Sequence, residues 1–300
     1  MRKNTTLIAG PTASGKSALA LRIARENDGI VVNADSMQVY GVLQVLTARP
    51  EFSAMEGVPH YLFGHVDPAT LYSAGAWCSD VRSLLNKNEL QDRHIVFVGG
   101  TGLYFRALLG GLSKMPEIPQ AVRDYWRSRL LTEGPESLHR ELGLRDPEAA
   151  KRLKIQDKQR IVRAIEVFEA SGRPISYWQG EAGEALVDAS GARKICIVPE
   201  REPLAEKIRQ RFLVMIKHGA LEEVAALRAL RLDPALPAMK AIGVAEISHY
   251  LDGTISLETA IELACAASRQ YAKRQMTWLR HQFAEGWERR SSQGEGFGGR

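Results

Sequence analysis

Gly10-Pro11-Thr12-Ala13-Ser14-Gly15-Lys16-Ser17 sets two glycines five residues apart and follows the second with a lysine and a hydroxyl. Glycines let the backbone curl until its N–H groups converge on phosphate oxygens at the amino end of a helix, where the peptide dipoles favour negative charge. A lysine at that point reaches the terminal phosphates, and the Ser17 hydroxyl can coordinate Mg²⁺. The pattern is specific only with a strand before it and a helix after it. Thr6-Leu7-Ile8-Ala9 supplies the strand, and Ala18 to Glu26 the helical pattern. The eight residues therefore cradle a diphosphate or triphosphate, without saying which reaction follows.

Other constellations narrow the chemistry. Asn33-Ala34-Asp35-Ser36-Met37-Gln38-Val39-Tyr40 ends a second strand and puts a carboxylate, a hydroxyl and an amide at the carboxyl edge of a sheet, where doubly wound proteins bind ligands. A carboxylate there can take a proton from a nucleophile, and an amide can read an adenine edge through paired hydrogen bonds. The plain alternative is a strand-end turn with Asp35 as its cap. Gly99-Gly100-Thr101-Gly102-Leu103-Tyr104 follows the strand Ile95 to Val98. Its glycines permit close backbone approach and Thr101 could enter the same cleft as Asp35, or simply cap a helix. A hydrolysing motor usually ends such a strand in an aspartate; a glycine there argues against an ATPase motor.

Two helical segments are basic. In Asp157-Lys158-Gln159-Arg160-Ile161-Val162-Arg163-Ala164-Ile165, Arg160 and Arg163 share a face while Ile161, Ala164 and Ile165 take the buried side. Further on, Arg269, Lys273, Arg274 and Arg280 interleave with Tyr271 and Trp278, as in many nucleic-acid binders. A solvated charged face is the equal alternative for each. Arg209 and Arg211 lie on a helix after a strand, and either could neutralise a leaving diphosphate.

These residues need a frame to hold them. Residues 5 to 115 alternate β-branched runs with helical patterns, which indicates a parallel sheet covered by helices. From Pro116 to about Gly180, apolar residues recur at helical spacing: Val122, Trp126, Leu130, then Leu138, Leu142, then Ile161, Ile165, Phe168. A strand returns at Lys194 to Val198, followed by long helices over Leu204 to Leu230 and Leu257 to Glu285. The expected fold is α/β: a P-loop NTPase-like parallel sheet core with an inserted all-helical domain. Residues 1–115 and 190–290 form the discontinuous core and 116–189 the insertion. The glycine-rich stretch 291–300 is expected to be a disordered tail.

Composition excludes more than it assigns. With 300 residues, 45% hydrophobic and 25% charged, the chain has the make-up of a soluble globular protein. A net charge of +5 biases it mildly toward polyanions. Cys78, Cys196 and Cys265 stand far apart, so neither a zinc site nor a disulfide framework is expected, and no pair of the seven histidines has metal-ligand spacing. No apolar run approaches the ~20 residues that cross a bilayer, and no leader pattern precedes the first strand. The expectation is a cytoplasmic protein with no membrane partner.

The motifs together, in order and spacing, resemble the bacterial tRNA dimethylallyltransferases, also called isopentenyl-tRNA transferases. They are the glycine loop at 10, the segment from Asn33 to Tyr40, Val58-Pro59-His60-Tyr61-Leu62, the glycine run at 99, the segment from Asp157 to Ser176, Arg211 to Ile216 with Gly219 to Val224, Ala241-Ile242-Gly243, and Ser268 to Arg280. The resemblance spans about residues 5 to 285. It implies transfer of a five-carbon group from dimethylallyl diphosphate to N6 of the adenosine 3′ of a tRNA anticodon. Diphosphate is released, Mg²⁺ is the cofactor, and the enzyme is expected to be a monomer. By the same resemblance Gly10 to Ser17 hold the donor diphosphate, with Lys16 and Ser17-bound Mg²⁺ offsetting its charge; Arg211 is carried beside them as a catalytic candidate. Asp35 would be the base toward N6 and Thr101 would contact the reaction centre, with Ser36, Met37 and Gln38 lining the adenine pocket. Arg123, Gln159, Arg160, Ile161, Val162 and Arg163 would grip the anticodon stem-loop, and Arg269, Lys273 and Arg274 its backbone. The chain departs from the family at Leu46-Thr47-Ala48-Arg49-Pro50, where Gly-Thr-Ala-Lys-Pro is usual, so Arg49 is carried as a diphosphate or RNA contact. Ser17 stands where many members have Thr. A P-loop kinase of a nucleoside or other small acceptor would use Lys16, Ser17 and Asp35 equally well but leaves the basic helices without a task. A non-catalytic RNA-binding P-loop protein is the third reading.

Overall fold

The structure, a computed structural model, describes residues 4–181, 183–283 and 286–291. Residues 292–300 of the expected tail and Glu285 at the expected end of the last helix lie outside them. Two compact units divide the chain: one is formed by residues up to Leu109 and from Leu186 onward, the other by Gly110–Ala185. Sequence patterning drew its junctions at 116 and 190. The chain rejoins the first unit at Leu186 because the Leu186 and Val187 N–H groups both donate to the Leu108 carbonyl, at 2.9 and 3.0 Å. Both side chains are then buried in the main core.

The first unit is a six-stranded sheet of β1 (Thr5–Ala9), β2 (Ile30–Asn33), β3 (His60–Tyr61), β4 (Ile95–Gly99), β5 (Arg193–Ile197) and β6 (Glu288–Arg290), in the order β3-β2-β4-β1-β5-β6. All pairings are parallel. β1, β2 and β4 are buried along their whole length, as a parallel sheet covered on both faces requires. This explains why they read as unbroken apolar runs rather than alternating ones. The two-residue β3 and three-residue β6 are too short to leave a period in the sequence and were not anticipated.

Ala9 pairs with Gly99 and Asn33 with Val98, so β1, β4 and β2 end level with one another. Whatever follows each strand is therefore delivered to one edge. Helices α1 (Lys16–Glu26), α2 (Ala74–Leu85) and α3 (Gly102–Gly110) cover this half. The patterned stretch from Leu204 to Leu230 is not one helix but two, α8 (Arg201–Lys217) and α9 (Ala220–Ala229), because Gly219 between them takes φ 101°. After α10 (Val244–Leu251) comes the 26-residue α11 (Leu257–Gln282), capped by Ser256, whose side chain accepts the Thr259 N–H.

The second unit is helical: α4 (Gln120–Arg145), α5 (Pro147–Arg152), α6 (Lys158–Ser171) and α7 (Ile175–Gly180). Gly134, outside helical geometry, followed by Pro135, breaks α4 in its middle. Its core joins Trp126, Leu138 and Leu142 of α4 to Ile161, Val162 and Ile165 of α6. Buried Asp146 ties α5 to α7 by accepting the Ala149 and Ser176 N–H groups, at 2.9 and 3.1 Å.

Candidate active site

The site grows from the level strand ends. After β1 the chain curls through Gly10 to Ser17 and enters α1, with Gly15 at φ 83° just before the helix. The Gly10 N–H donates to the Gly99 carbonyl at 3.3 Å, which moors the P-loop to the turn after β4. Lys16 Nζ donates to the Pro11 carbonyl at 3.1 Å. Burial lowers the Lys16 ammonium to about 8; neighbouring Arg211 pushes the same way and Asp35 opposes both. The buried Ser14 Oγ has no hydrogen-bond partner among the described residues, and Ser17 lies exposed in the first turn of α1.

After β2, Asn33 shapes the next turn. Its Nδ2 donates to the Asp35 and Leu62 carbonyls at 2.9 and 3.0 Å, and its Oδ1 accepts the Asp35 N–H at 2.8 Å. The Asn33 carbonyl in turn accepts the Trp77 indole N–H at 2.9 Å, and Trp77 stacks on Tyr104 with ring centroids 4.1 Å apart. A hydrophobic core thereby sets the orientation of a polar turn. Asp35 Oδ1 accepts the Met37 N–H at 2.9 Å, so the turn-capping reading holds for one oxygen. Oδ2 points toward Gly100. The Asp35 charge favours the charged forms of Lys16 and Arg211.

After β4, Thr101 does not cap α3. Its Oγ1 accepts the Ser36 N–H at 2.9 Å and donates to Ser36 Oγ at 3.2 Å, locking the two turns together. Gly100 and Gly102 are needed for close approach rather than for a special φ. A Cβ on Gly100 would lie 2.0 Å from Gln275 Nε2, and one on Gly102 2.0 Å from the Trp278 ring.

Both intruding side chains come from α11, which sequence reading treated as a basic surface. Arg269, Lys273 and Arg274 are indeed exposed, but Ser268, Gln275 and the apolar Ala272, Met276 and Leu279 are buried. Gln275 Oε1 accepts the Thr12 N–H at 3.1 Å and its Nε2 donates to the Gly100 carbonyl at 3.0 Å. Tyr271, one turn earlier, lies beside Thr101 and Gln275; burial pushes its hydroxyl well above the usual range, with the Asp35 charge adding to the shift. The signal that could have found them was Ser268, Tyr271, Gln275 and Trp278 recurring at three- and four-residue spacing on the apolar face.

Of the two arginines on α8, one reaches the P-loop. Arg211 donates to Thr12 Oγ1 of the P-loop. Arg209 points elsewhere, into a separate groove of about 750 Å³ that it shares with Arg269, Leu213 and Leu257 and that no P-loop residue lines. A cavity of about 270 Å³ opens where these elements meet. Its polar wall includes Thr12, Asp35, Ser36, Arg211, Lys240 and Tyr271, and its apolar wall includes Met37, Leu46, Ile208, Phe212, Met215 and Ile242.

The departure at residues 46–50 also finds its place. Leu46 packs against Gly243 and lines the cavity. Arg49 reaches neither phosphate loop nor cavity; its guanidinium donates to the Tyr40 and Gly41 carbonyls and to Gln44 Oε1, at 3.3, 3.1 and 3.0 Å, and so clamps its own loop. Gln38 spends its amide hydrogens on the Thr47 and Ala48 carbonyls, at 2.8 and 3.1 Å, so the paired reading of an adenine edge expected of it is not open to it in this arrangement.

In the second unit, Gln159 and Arg160 are exposed, whereas Arg163 and Arg123 are half-buried. Arg163 and Arg127 approach the buried Glu166 at 3.7 and 3.9 Å, and Arg123 adds its charge. Burial raises the Glu166 carboxyl, and the three arginines oppose that shift. Ile161 and Val162, expected as RNA contacts, are 0% and 5% exposed. That expectation is corrected: helical periodicity turns these two side chains into the core formed with Trp126 and Leu138.

Among the described residues no cluster of histidine, cysteine, aspartate and glutamate could hold a metal ion, and no helix is long and apolar enough to cross a membrane. The IPP transferase family profile matches residues 38–282, and an isopentenyl transferase profile matches 3–64. A tRNA dimethylallyltransferase of Chelativorans sp. (strain BNC1) is 62% identical over 96% of this chain and 99% of its own length. The crystal structure of a tRNA isopentenylpyrophosphate transferase from Bacillus halodurans superposes with a TM-score of 0.69 at 29% identity, covering 97% of this chain and 90% of that one. A eukaryotic dimethylallyltransferase acting on tRNA shares the fold, with a TM-score of 0.80 at 24% identity over 96% of this chain and 74% of that one.

Proposed function

The chain belongs to the IPP transferase family, and on that premise we propose that it transfers a dimethylallyl group from dimethylallyl diphosphate to N6 of the adenosine immediately 3′ of a tRNA anticodon. The observation that carries this reading is a cavity in which a P-loop residue, a cation, a carboxylate and an apolar wall meet: Thr12, Arg211, Asp35, and Leu46 with Phe212. A kinase needs the first three; the apolar wall suits a hydrocarbon donor.

In the transfer, the bond between the allylic carbon and the diphosphate oxygen breaks, and its electron pair leaves with the diphosphate. Lys16, Arg211 and the P-loop N–H groups meet the growing negative charge, which stabilises the transition state where charge develops. The N6 lone pair forms the new C–N bond and its proton passes to Asp35. N6 is a poor nucleophile because its lone pair is delocalised into the ring, so removing the proton as the bond forms lowers the barrier. Asp35 is suited to this because Oδ1 is anchored on Met37 while Oδ2 faces the loop that carries Thr101. The hydroxyl of Ser17 fits Mg²⁺, which commonly takes one or two protein oxygens and draws the rest of its shell from phosphates and water; when bound it neutralises diphosphate charge.

A stacked anticodon-loop base cannot enter a cavity of this size, so the adenosine is flipped out to be read. Exposed Arg160 and Gln159, with Arg123 and Arg163, supply a polar, cationic face for the stem-loop, and Arg269, Lys273 and Arg274 supply phosphate contacts. We take the enzyme to act as a monomer in the cytoplasm.

The test is incubation with unmodified tRNA carrying adenosine beside the anticodon, dimethylallyl diphosphate and Mg²⁺, followed by digestion and mass analysis for N6-dimethylallyladenosine. No product at any salt concentration overturns the reading, and ADP formed from ATP and a nucleoside would make the protein a kinase. Asp35→Asn should keep tRNA affinity and lose most turnover, by about 10²- to 10⁴-fold; equal loss of both refutes the base assignment.

A further inference from the structure

Gln275 is 6% exposed on a helix face otherwise formed by Ala272, Met276 and Leu279. An amide buried on such a face costs stability unless both its ends are bonded. Here one end takes the Thr12 N–H and the other gives to the Gly100 carbonyl. The two loops it joins serve opposite halves of the reaction. Thr12 belongs to the phosphate loop and receives Arg211 on its hydroxyl. Gly100 precedes Thr101, which is locked to Ser36 beside Asp35. The bridge also takes up one N–H of the glycine loop.

We propose that Gln275 is a positioning residue for the transfer, setting the spacing between the loop that holds the leaving diphosphate and the loop that holds the attacking nitrogen. This rests on the prenyl-transfer reading above. In a displacement the donor carbon lies between those two groups, so a change in loop spacing lengthens the gap that the new bond must close. Misplacement by about 1 Å can cost on the order of 10²-fold in rate. Because Gln275 does not line the cavity, its effect falls on the chemical step rather than on binding.

The test compares Gln275→Glu and Gln275→Leu in the full chain, with single-turnover rates at saturating tRNA and dimethylallyl diphosphate from pH 6 to 8.5. The glutamate keeps the acceptor for Thr12 but, when ionised, has no proton for Gly100; when protonated it has one, and burial raises the pH at which that happens. Asp35, Lys16, Arg211 and Tyr271 also titrate or carry charge around this site, so each rate is taken relative to the parent at the same pH. The expected result is a roughly 100-fold loss for Gln275→Glu at pH 8.5 that narrows to about tenfold or less at pH 6, with KM for tRNA changed less than threefold. Gln275→Leu should lose as much at every pH. A parent-like rate for Gln275→Glu throughout overturns the proposal. So does a loss that acidification does not relieve, in a protein whose circular dichroism and melting temperature match the parent's. Failure of the parent chain itself to make product bears on the transfer reading instead.

Discussion

Glu223→Ala should free the loop that carries Leu46 and Thr47 while leaving the rest of the fold in place. One carboxylate here accepts three backbone N–H groups: Gln44 and Val45 on Oε2 at 2.8 and 2.7 Å, and Leu46 on Oε1 at 2.9 Å. Hydrogen bonds to a charged group contribute about 1.5–3 kcal/mol each. Three taken in full would exceed 4 kcal/mol, but Glu223 is only half-buried and the freed N–H groups of a surface loop regain water. The net loss should be roughly 2–4 kcal/mol, confined to local opening. Amide hydrogen exchange at Gln44, Val45 and Leu46 reads this directly, and acceleration of roughly 30- to 1,000-fold corresponds to that range. Glu223→Gln keeps one acceptor oxygen but turns an N–H₂ toward a backbone donor, so it should fall between parent and alanine variant. Leu46 and Thr47 line the cavity, and the Thr47 and Ala48 carbonyls hold Gln38. KM for the donor should therefore rise by about tenfold with Glu223→Ala, equivalent to ~1.4 kcal/mol of binding. Exchange accelerated less than threefold, or a glutamine variant as damaged as the alanine one, would refute the reasoning.

Other perturbations separate binding from scaffold. Lys16 is protonated below about pH 8 and neutral above it, so donor affinity should be greatest on the acid side and weaken as pH rises through that value; a KM for the donor that stays flat between pH 7 and 9 contradicts this. In the helical unit, Ile161→Ala should lower thermal stability by about 2–5 kcal/mol, because it empties a core position. Arg160→Ala should leave stability within ~0.5 kcal/mol and reduce the salt dependence of tRNA binding, measured as the slope of log affinity against log salt. Opposite behaviour in this pair would restore Ile161 to the RNA face.

How much of the site was legible depended on whether its residues act through neighbours in sequence. Gly10 to Ser17 form one continuous turn between β1 and α1, and so they can be read from spacing alone. Asp35 and Thr101 were legible as strand-end residues, since parallel strands deliver their carboxyl ends to one edge. Gln275 and Tyr271 were not, although they sit inside a recognised segment, because its basic residues drew attention to the outer face of α11. Ile161 and Val162 failed for the converse reason: neighbours in a motif were credited with one role when a helix sends them to opposite sides.

From residues near one another in the chain came the phosphate loop, the parallel sheet, the helical insertion and the family. These follow from local conformation and periodicity, which each segment carries in itself. Tertiary structure alone separated Arg209 from Arg211, which are two residues apart and line different cavities. It alone set Gln275 across the Thr12 and Gly100 loops, turned Arg49 onto its own loop, and gave Glu223 to residues 44–46. The choices made on α8, α9 and α11 depend on where a helix docks and how it is rotated: α11 sends Met276 and Leu279 into the main core with the strands, while α8 and α9 send Phe212, Met215, Val224 and Leu227 into a second core beside the 39–46 segment.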